Sequence, residues 1–395
     1  MPKVHSNGPL SNRRADFDNV PASRRSHGAA PGSRSNEATP AHFERAPAMA
    51  PLPDVEALLK KYLKKNAPEN VGRPLERVMV ATANIDKFLT PGADAADIAE
   101  GLVKNDARTP LFRLEALLRL YEDKFGKDAE KALDKVKALE DQLGAVGLAN
   151  DLLDLAKEHS FPKSAVEHLE ARVEEQMGLL TEVVADDWVG KKKGRAPAIA
   201  DIVEAFAEEE WDSYEDDRAY LCEQFDAHLE EIQNEPLDMN DLQGGVHELR
   251  RQLRWMPLFM LATDGAVQLD DQKNPVRELI PLLSDDAVNG PFTRMPAPSR
   301  EARPIVLSRS LFLANSKAIG DIGDLKDTGE YVEFLGDVLH EVGDAPTLEA
   351  ARAKAQKLLG RGDAGDVARK AGEIYDNMNR IGLLDATRRD IQNQM

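Results

Sequence analysis

From Pro53 onward the chain repeats one hydrophobic period with short breaks, the i, i+3, i+4, i+7 spacing of amphipathic helices. Val55, Leu58, Leu59 and Tyr62 mark the first such stretch, and Leu75, Val78, Met79, Ile85 and Leu89 mark the next. Thr109-Pro110 is a start signal, a capping residue followed by proline at the first helical position. The helix it opens turns Leu114, Leu117, Leu118, Tyr121 and Phe125 inward and ends near Gly126. A partner over 128–143 carries Leu133, Val136, Leu139 and Leu143, and 148–158, 163–185, 198–209 and 214–232 continue the pattern. No run alternates apolar and polar residues at hairpin spacing, so little or no sheet is expected and the predicted class is all-α.

Two places interrupt this regime. Gly190 to Pro197, with Lys191, Lys192, Lys193 and Arg195, reads as a basic loop between helices, and 275–304 holds Pro281, Pro291, Pro296 and Pro298 and reads as an irregular insertion. The expected organisation is therefore an extension over 1–52, a first helical half over 53–190, and a second half over 198–395 that contains the insertion. Ser6 to Pro51 is rich in Ser, Pro, Gly and Arg, too poor in apolar residues to offset the entropy of folding, and is expected to be disordered.

A short phrase occurs twice: Val146-Gly147-Leu148-Ala149-Asn150-Asp151-Leu152 and Ile319-Gly320-Asp321-Ile322-Gly323-Asp324-Leu325. Each copy lies downstream of a stretch bearing arginines, led by Asn105 and Arg108 in the first case and by His247 and Arg250 in the second. His247 follows Asn105 by 142 residues and Gly320 follows Gly147 by 173, a surplus of 31 that matches the insertion in size. This predicts two pseudo-symmetric bundles of roughly four helices each. The glycines are expected to turn the chain or admit a close neighbour, and the aspartates to cap the following helix.

Charge narrows the possible partners. The formal net charge is -19, which argues against nucleic acid or an anionic membrane as a general partner, although the first 50 residues are mildly basic. Any anion site must then be a local pocket, since exposed charges more than ~8 Å apart are largely screened at physiological salt. No apolar run reaches the ~18–20 residues of a membrane span. Cys222 is the one cysteine, so an intrachain disulfide and a cysteine-based zinc site are both excluded, and a cytoplasmic location is expected. The histidines form no helix-borne metal pair, and no phosphate loop, dinucleotide fingerprint or nucleophile elbow is present; neither metal nor cofactor is expected. The acids from Glu208 to Asp217 lack the spacing of a calcium loop and read as a solvated helix face.

His247, Arg250 and Arg254 stand at i, i+3 and i+7, within ~60° on a helix, with Arg251 beside them. Such a face needs anions opposite it, either internal carboxylates or a bound phosphate, for which the arginine fork is well shaped. His247-x-x-Arg250-x-x-x-Arg254 followed by Ile319-Gly320-x-x-Gly323-Asp324-Leu325 resembles the CHAD family, the conserved-histidine α-helical domains. The resemblance covers about residues 100–340, and the first half would begin at Asn105-x-x-Arg108 with Arg113 following. It implies two helical bundles around a basic channel, no catalysis, and binding of inorganic polyphosphate or a similar polyanion by His247, Arg250, Arg251 and Arg254. Arg108, Arg113 and the Lys191–Lys193 loop would contribute from the other half. Asn105 stands where the family has histidine, and Pro257 replaces a basic position and is expected to bend or end its helix. The alternative is a helical protein–protein adaptor, loosely similar to secretion-associated regulators, which accommodates the acidic charge more easily.

Overall fold

The computed structural model describes residues 73–90, 92–190, 196–208, 214–271, 279, 294–297, 303–362 and 364–395. The expected N-terminal disorder, the stretch marked by Val55 to Tyr62, Lys191–Lys193, Pro281, Pro291 and Pro298 lie outside these residues, as does the Phe125 side chain. The chain is all-α, with 13 α-helices and two short parallel strands among the described residues.

The first half contains α1 (Arg73–Asp86), α2 (Ala95–Lys104), α3 (Arg108–Leu120), the single turn α4 (Glu122–Phe125), α5 (Lys127–Glu158), α6 (Lys163–Asp187) and α7 (Pro197–Glu208). After α8 (Tyr214–Asn234), a π-helical turn (Leu242–His247) leads into α9 (Glu248–Ala262). Strands β1 (Val267–Asp270) and β2 (Ile305–Ser308) follow, then α10 (Arg309–Glu341), α11 (Leu348–Leu359), α12 (Ala364–Ile381) and α13 (Leu383–Gln392). In both halves a short buried helix precedes a long one, α3 before the 32-residue α5 and α9 before the 33-residue α10. Each long helix folds back into a hairpin with its successor, α5 with α6 and α10 with α11.

The residues 128–143 and 148–158 form one continuous helix instead of two, because nothing between them lacks an amide hydrogen or forces a positive φ. Gly126, with φ +52°, is the residue that separates α4 from α5. The insertion is bracketed by a strand pair that periodicity did not predict: Val267 to Asp270 lies in parallel register with Ile305 to Ser308. Four residues are too few for alternation to register as a pattern.

The repeated phrase has its expected role at one glycine only, Gly323. Gly147 is residue 21 of α5 while Gly320 is residue 12 of α10, and a Cβ at either would meet nothing within 4 Å. Neither glycine makes a turn or a close approach, and Asp151 and Asp324 lie inside their helices, where they cap nothing. Within the phrase Gly323 alone admits a close neighbour, the Arg250 side chain, and further close approaches lie beyond it on α10. A Cβ at Gly329 would come within 2.8 Å of Leu242 Cδ2, and one at Gly336 within 2.5 Å of Arg352 Cγ and 2.8 Å of its Cα.

One apolar core runs through both halves, from Val78 and Ile85 of α1 through Leu114 and Leu117 of α3 to Leu249 and Leu253 of α9 and Ile391 of α13. A second core joins the hairpins at their far ends, with Leu148, Leu152 and Phe161 on one side and Leu335, Leu339 and Ala355 on the other. A buried polar knot ties α1, α3 and α8 together. Arg77 donates to Asp217 Oδ2 at 2.7 Å and to the Tyr121 hydroxyl at 2.9 Å, and Tyr121 donates to Asp217 Oδ1 at 2.7 Å. Asp217 is therefore a core residue and not part of a solvated acidic face, and it sits in the first turn of α8, where the helix dipole favours a carboxylate.

Asp217→Ala, which leaves Arg77 buried beside no carboxylate, is expected to cost ~3–5 kcal/mol in urea unfolding. Gly336→Ala is expected to destabilise by ~1–3 kcal/mol because the backbone of α11 must shift, whereas Gly320→Ala gains up to ~1 kcal/mol of helix propensity. A Gly336→Ala protein as stable as the parent would show that the α10–α11 contact is loose.

Candidate functional site

Helices α3 and α9 are the corresponding short helices of the two halves, and they pack directly on each other. Of the sequence-derived residues, Arg108 and Arg254 meet at this joint on the Phe112 ring, whereas His247 of the π-turn and Arg250 of α9 face α10. Arg108 comes from the first half and His247, Arg250 and Arg254 from the second, and each is only 6–8% exposed. Arg108 is the first residue of α3, so it belongs to the helix, and Thr109-Pro110 fills the first turn without supplying a cap. Pro257 lies within α9 and does not end it, since the helix continues to Ala262.

The arginines face internal partners. Arg108 donates to Glu140 of α5 through Nε at 2.7 Å and through a second, shorter bond. Its guanidinium also lies 5.2 Å from the Phe112 ring centre. Arg254 sits 4.3 Å from the same ring and 5.9 Å from that of Trp255. Arg119 pairs with the buried Glu115 at 2.8 and 3.1 Å and lies 4.6 Å from Trp255. Phe112 and Trp255 meet edge to face at 6.5 Å, and Trp255 stacks on Phe259 at 5.7 Å. The joint is thus an interleaving of guanidinium groups and rings. Each desolvated cation–ring contact is worth up to ~2 kcal/mol.

Arg250 lies across the backbone of α10. A Cβ on Gly323 would fall 2.6 Å from Arg250 Nε, so the glycine of the second phrase is the space that this side chain occupies. Arg251 is half-exposed and forks onto Glu248 at 2.6 and 2.8 Å. Arg113 is half-buried; burial lowers its pKa, opposed by the charge of Asp264. Asp264 itself has φ +47° in the turn that ends α9.

His247 closes the π-turn, a form of helix common at functional positions. Its Nδ1 lies 3.1 Å from Glu330 Oε1, Gln243 donates to the same oxygen at 3.3 Å, and the fully buried Lys326 holds Glu330 Oε2 at 2.7 Å. His247 Nε2 is buried and makes no hydrogen bond. Burial pushes the Glu330 carboxyl up, but the His247 hydrogen bond and the Lys326 charge outweigh it and hold the group below its usual range. On α8, burial lowers the pKa of His228, whose ring lies against Phe259 and whose Nε2 is 2.9 Å from the Gln252 carbonyl.

The sequence reading missed the acidic side of this arrangement. Glu115 and Arg119, and Lys326 and Glu330, stand four residues apart on their helices, a spacing visible in the sequence. Glu140 lies 32 residues from Arg108 and Glu330 lies 83 from His247, so only the fold identifies them as partners. Among the described residues no group of three or more His, Cys, Asp or Glu side chains is arranged to hold a metal ion, and no helix is long and apolar enough to cross a membrane.

A separate feature is a cleft of ≈ 580 Å³ between α10 and α12, closed at one end by Leu383 of α13. Its floor is apolar, with Ala314, Ala318, Leu325, Ile374 and Met378, and its rim carries Asp321, Asp324, Glu373, Lys317 and Lys370. Both lysines are held by acids, Lys317 by Asp321 at 2.8 Å and Lys370 by Asp366 at 2.7 Å. No protein-family model, curated protein or solved structure matches this chain.

Glu330 ties the chain's acid stability to this site. Because its carboxyl is lowered in the fold, the unfolded chain takes up the proton first, so the stabilisation is present above pH ~4.5 and is lost as pH falls below it. Glu330→Gln is expected to lose ~3 kcal/mol at pH 7 and to show a flatter decline below pH 5 than the parent. Urea unfolding between pH 3 and 7 measures both; parallel curves would rule out the assignment.

Proposed function

We propose that this chain is a non-enzymatic helical adaptor, with a two-half architecture like that implied by its CHAD resemblance, whose basic residues serve as internal ties. The observation that carries this reading is the engagement of the basic set. Arg108 is committed to Glu140, Arg119 to Glu115, Arg251 to Glu248 and His247 to Glu330, while Arg254 is sandwiched among rings. A polyphosphate chain would have to displace carboxylates that are already desolvated and aligned, and would do so on a protein of net charge -19. The apolar cleft between α10 and α12, with its rim of mixed charge, is the better docking face. It suits the apolar side of a partner helix.

The polyanion reading has one observation in its favour: Arg108 of the first half and Arg254 of the second lie against the same Phe112 ring, at 5.2 and 4.3 Å. Labelled long-chain polyphosphate distinguishes the two. The adaptor reading predicts no binding at ~0.05 M salt. Binding that weakens steeply by ~0.2 M and disappears in His247→Ala/Arg250→Ala/Arg254→Ala, with that variant still helical by circular dichroism, would establish the polyanion site instead.

A further inference from the structure

Residues 236–241, between α8 and the π-turn, carry neither helix nor strand, and the π-turn that follows them packs on both α10 and α12. The open cleft between those helices runs along α10 as far as Leu325 and along α12 as far as Lys370. One turn further on, Leu242 lies between them: a Cβ at Gly329 of α10 would stand 3.2 Å from Leu242 Cδ1 and 3.4 Å from Val367 Cγ1 of α12. Met239 seats on α12, its Cβ 3.7 Å from where one on Gly372 would stand. Met239 and Leu242, three residues apart, thus fill the continuation of the cleft, each over a glycine.

This covering is lightly held. Its backbone bonds are internal: Asp241 N–H donates to the Asp238 carbonyl at 2.9 Å, and the N–H groups of Gly245 and Val246 both donate to the Asp241 carbonyl at 3.0 Å. The Asp238 and Asp241 side chains accept from the Asn240 and Gln243 amides within the same segment, at 3.0 and 2.9 Å. Among the described residues one hydrogen bond ties 238–245 to another helix, that of Gln243 to Glu330 at 3.3 Å. Charge works against closure as well. Burial above all, and then the carboxylates of Asp337, Glu330 and Asp241, raise the Glu333 pKa against the opposing charge of Arg352, so Asp241 meets a like charge on α10. Gly244 and Gly245 stand just before α9, where their backbone freedom suits a hinge.

We propose that residues 238–245 form a strap that opens as a unit while α8, α9, α10 and α12 stay folded, and that its opening prolongs the cleft over Gly329 and Gly372. That the longer cleft serves docking rests on the adaptor reading; the opening itself does not. Leu242→Cys in the full chain tests it against the chain's own Cys222, which is fully buried on α8. Under native conditions a thiol reagent is expected to label the introduced thiol at least about a hundredfold faster than Cys222, because a local opening needs less free energy than global unfolding. Leu249→Cys, in the first turns of α9 and equally buried, is expected to react as slowly as Cys222. A thiol at 242 no faster than Cys222, or one at 249 as fast as that at 242, would overturn the proposal. Since Leu242→Cys itself removes an apolar contact, hydrogen exchange of the unaltered chain gives a second test. The Gly245 and Val246 amides should exchange at least about tenfold faster than those in the middle of α9, and equal protection would sink the strap. Neither measurement needs a partner, so the strap stands or falls separately from the adaptor reading.

Discussion

The architecture depends on removing arginines from water at the α3–α9 joint. A guanidinium cannot shed its charge in a protein, so its burial is tolerable only where hydrogen-bond acceptors or aromatic faces replace the lost hydration. Phe112 and Trp255 supply the faces, and Glu140 and Glu115 supply carboxylates from α5 and α3. These contacts are mutual constraints. The ion pairs fix Arg108 and Arg119 within the first half, and the contacts that cross between the halves are those of Arg119 with the Trp255 ring and Arg254 with the Phe112 ring.

The same logic explains the contrast between the chain's net charge and its basic motif. Twenty-six glycines and a large acidic excess do not by themselves tell a channel from a core, and only the position of the acids does so. Here the acids nearest the basic helix face inward with it. Lys326 is the clearest instance: a fully buried lysine on α10 that neutralises Glu330 and thereby orients His247. Polar specificity of this kind favours one packing of α9 on α10 over sliding alternatives that apolar contacts alone would permit.

The elements that were legible in the sequence are those with a local cause. The 3.6-residue period marked α6 to α8 closely but ran α3 and α4 together as one helix to Gly126, across the break at Tyr121, and the i, i+3, i+7 set gave the shared helix of Arg250 and Arg254 without their separate partners. What was not legible depended on distance. The phrase around Gly147 and Gly320 looked like a structural repeat, yet the two glycines sit at different depths in their helices. The glycine that matters for packing, Gly323, is identified only by the Arg250 side chain that crosses it. Whether a basic helix face meets solvent or carboxylates is likewise a property of partners 32 and 83 residues away.

The strand pair has a consequence of its own. Because Val267–Asp270 and Ile305–Ser308 lie side by side in parallel, the segment between them starts and finishes at opposite ends of one strand pair, with α10 continuing directly from β2. Closing a longer excursion between such fixed ends costs little, about 0.6 kcal/mol for each doubling of its length. The segment between the strands is not free to be replaced whole, since Leu279 is buried in the main core and the Pro296 carbonyl accepts from Gln268 Nε2 at 2.8 Å, so added length is tolerated only where it leaves these two anchors in place.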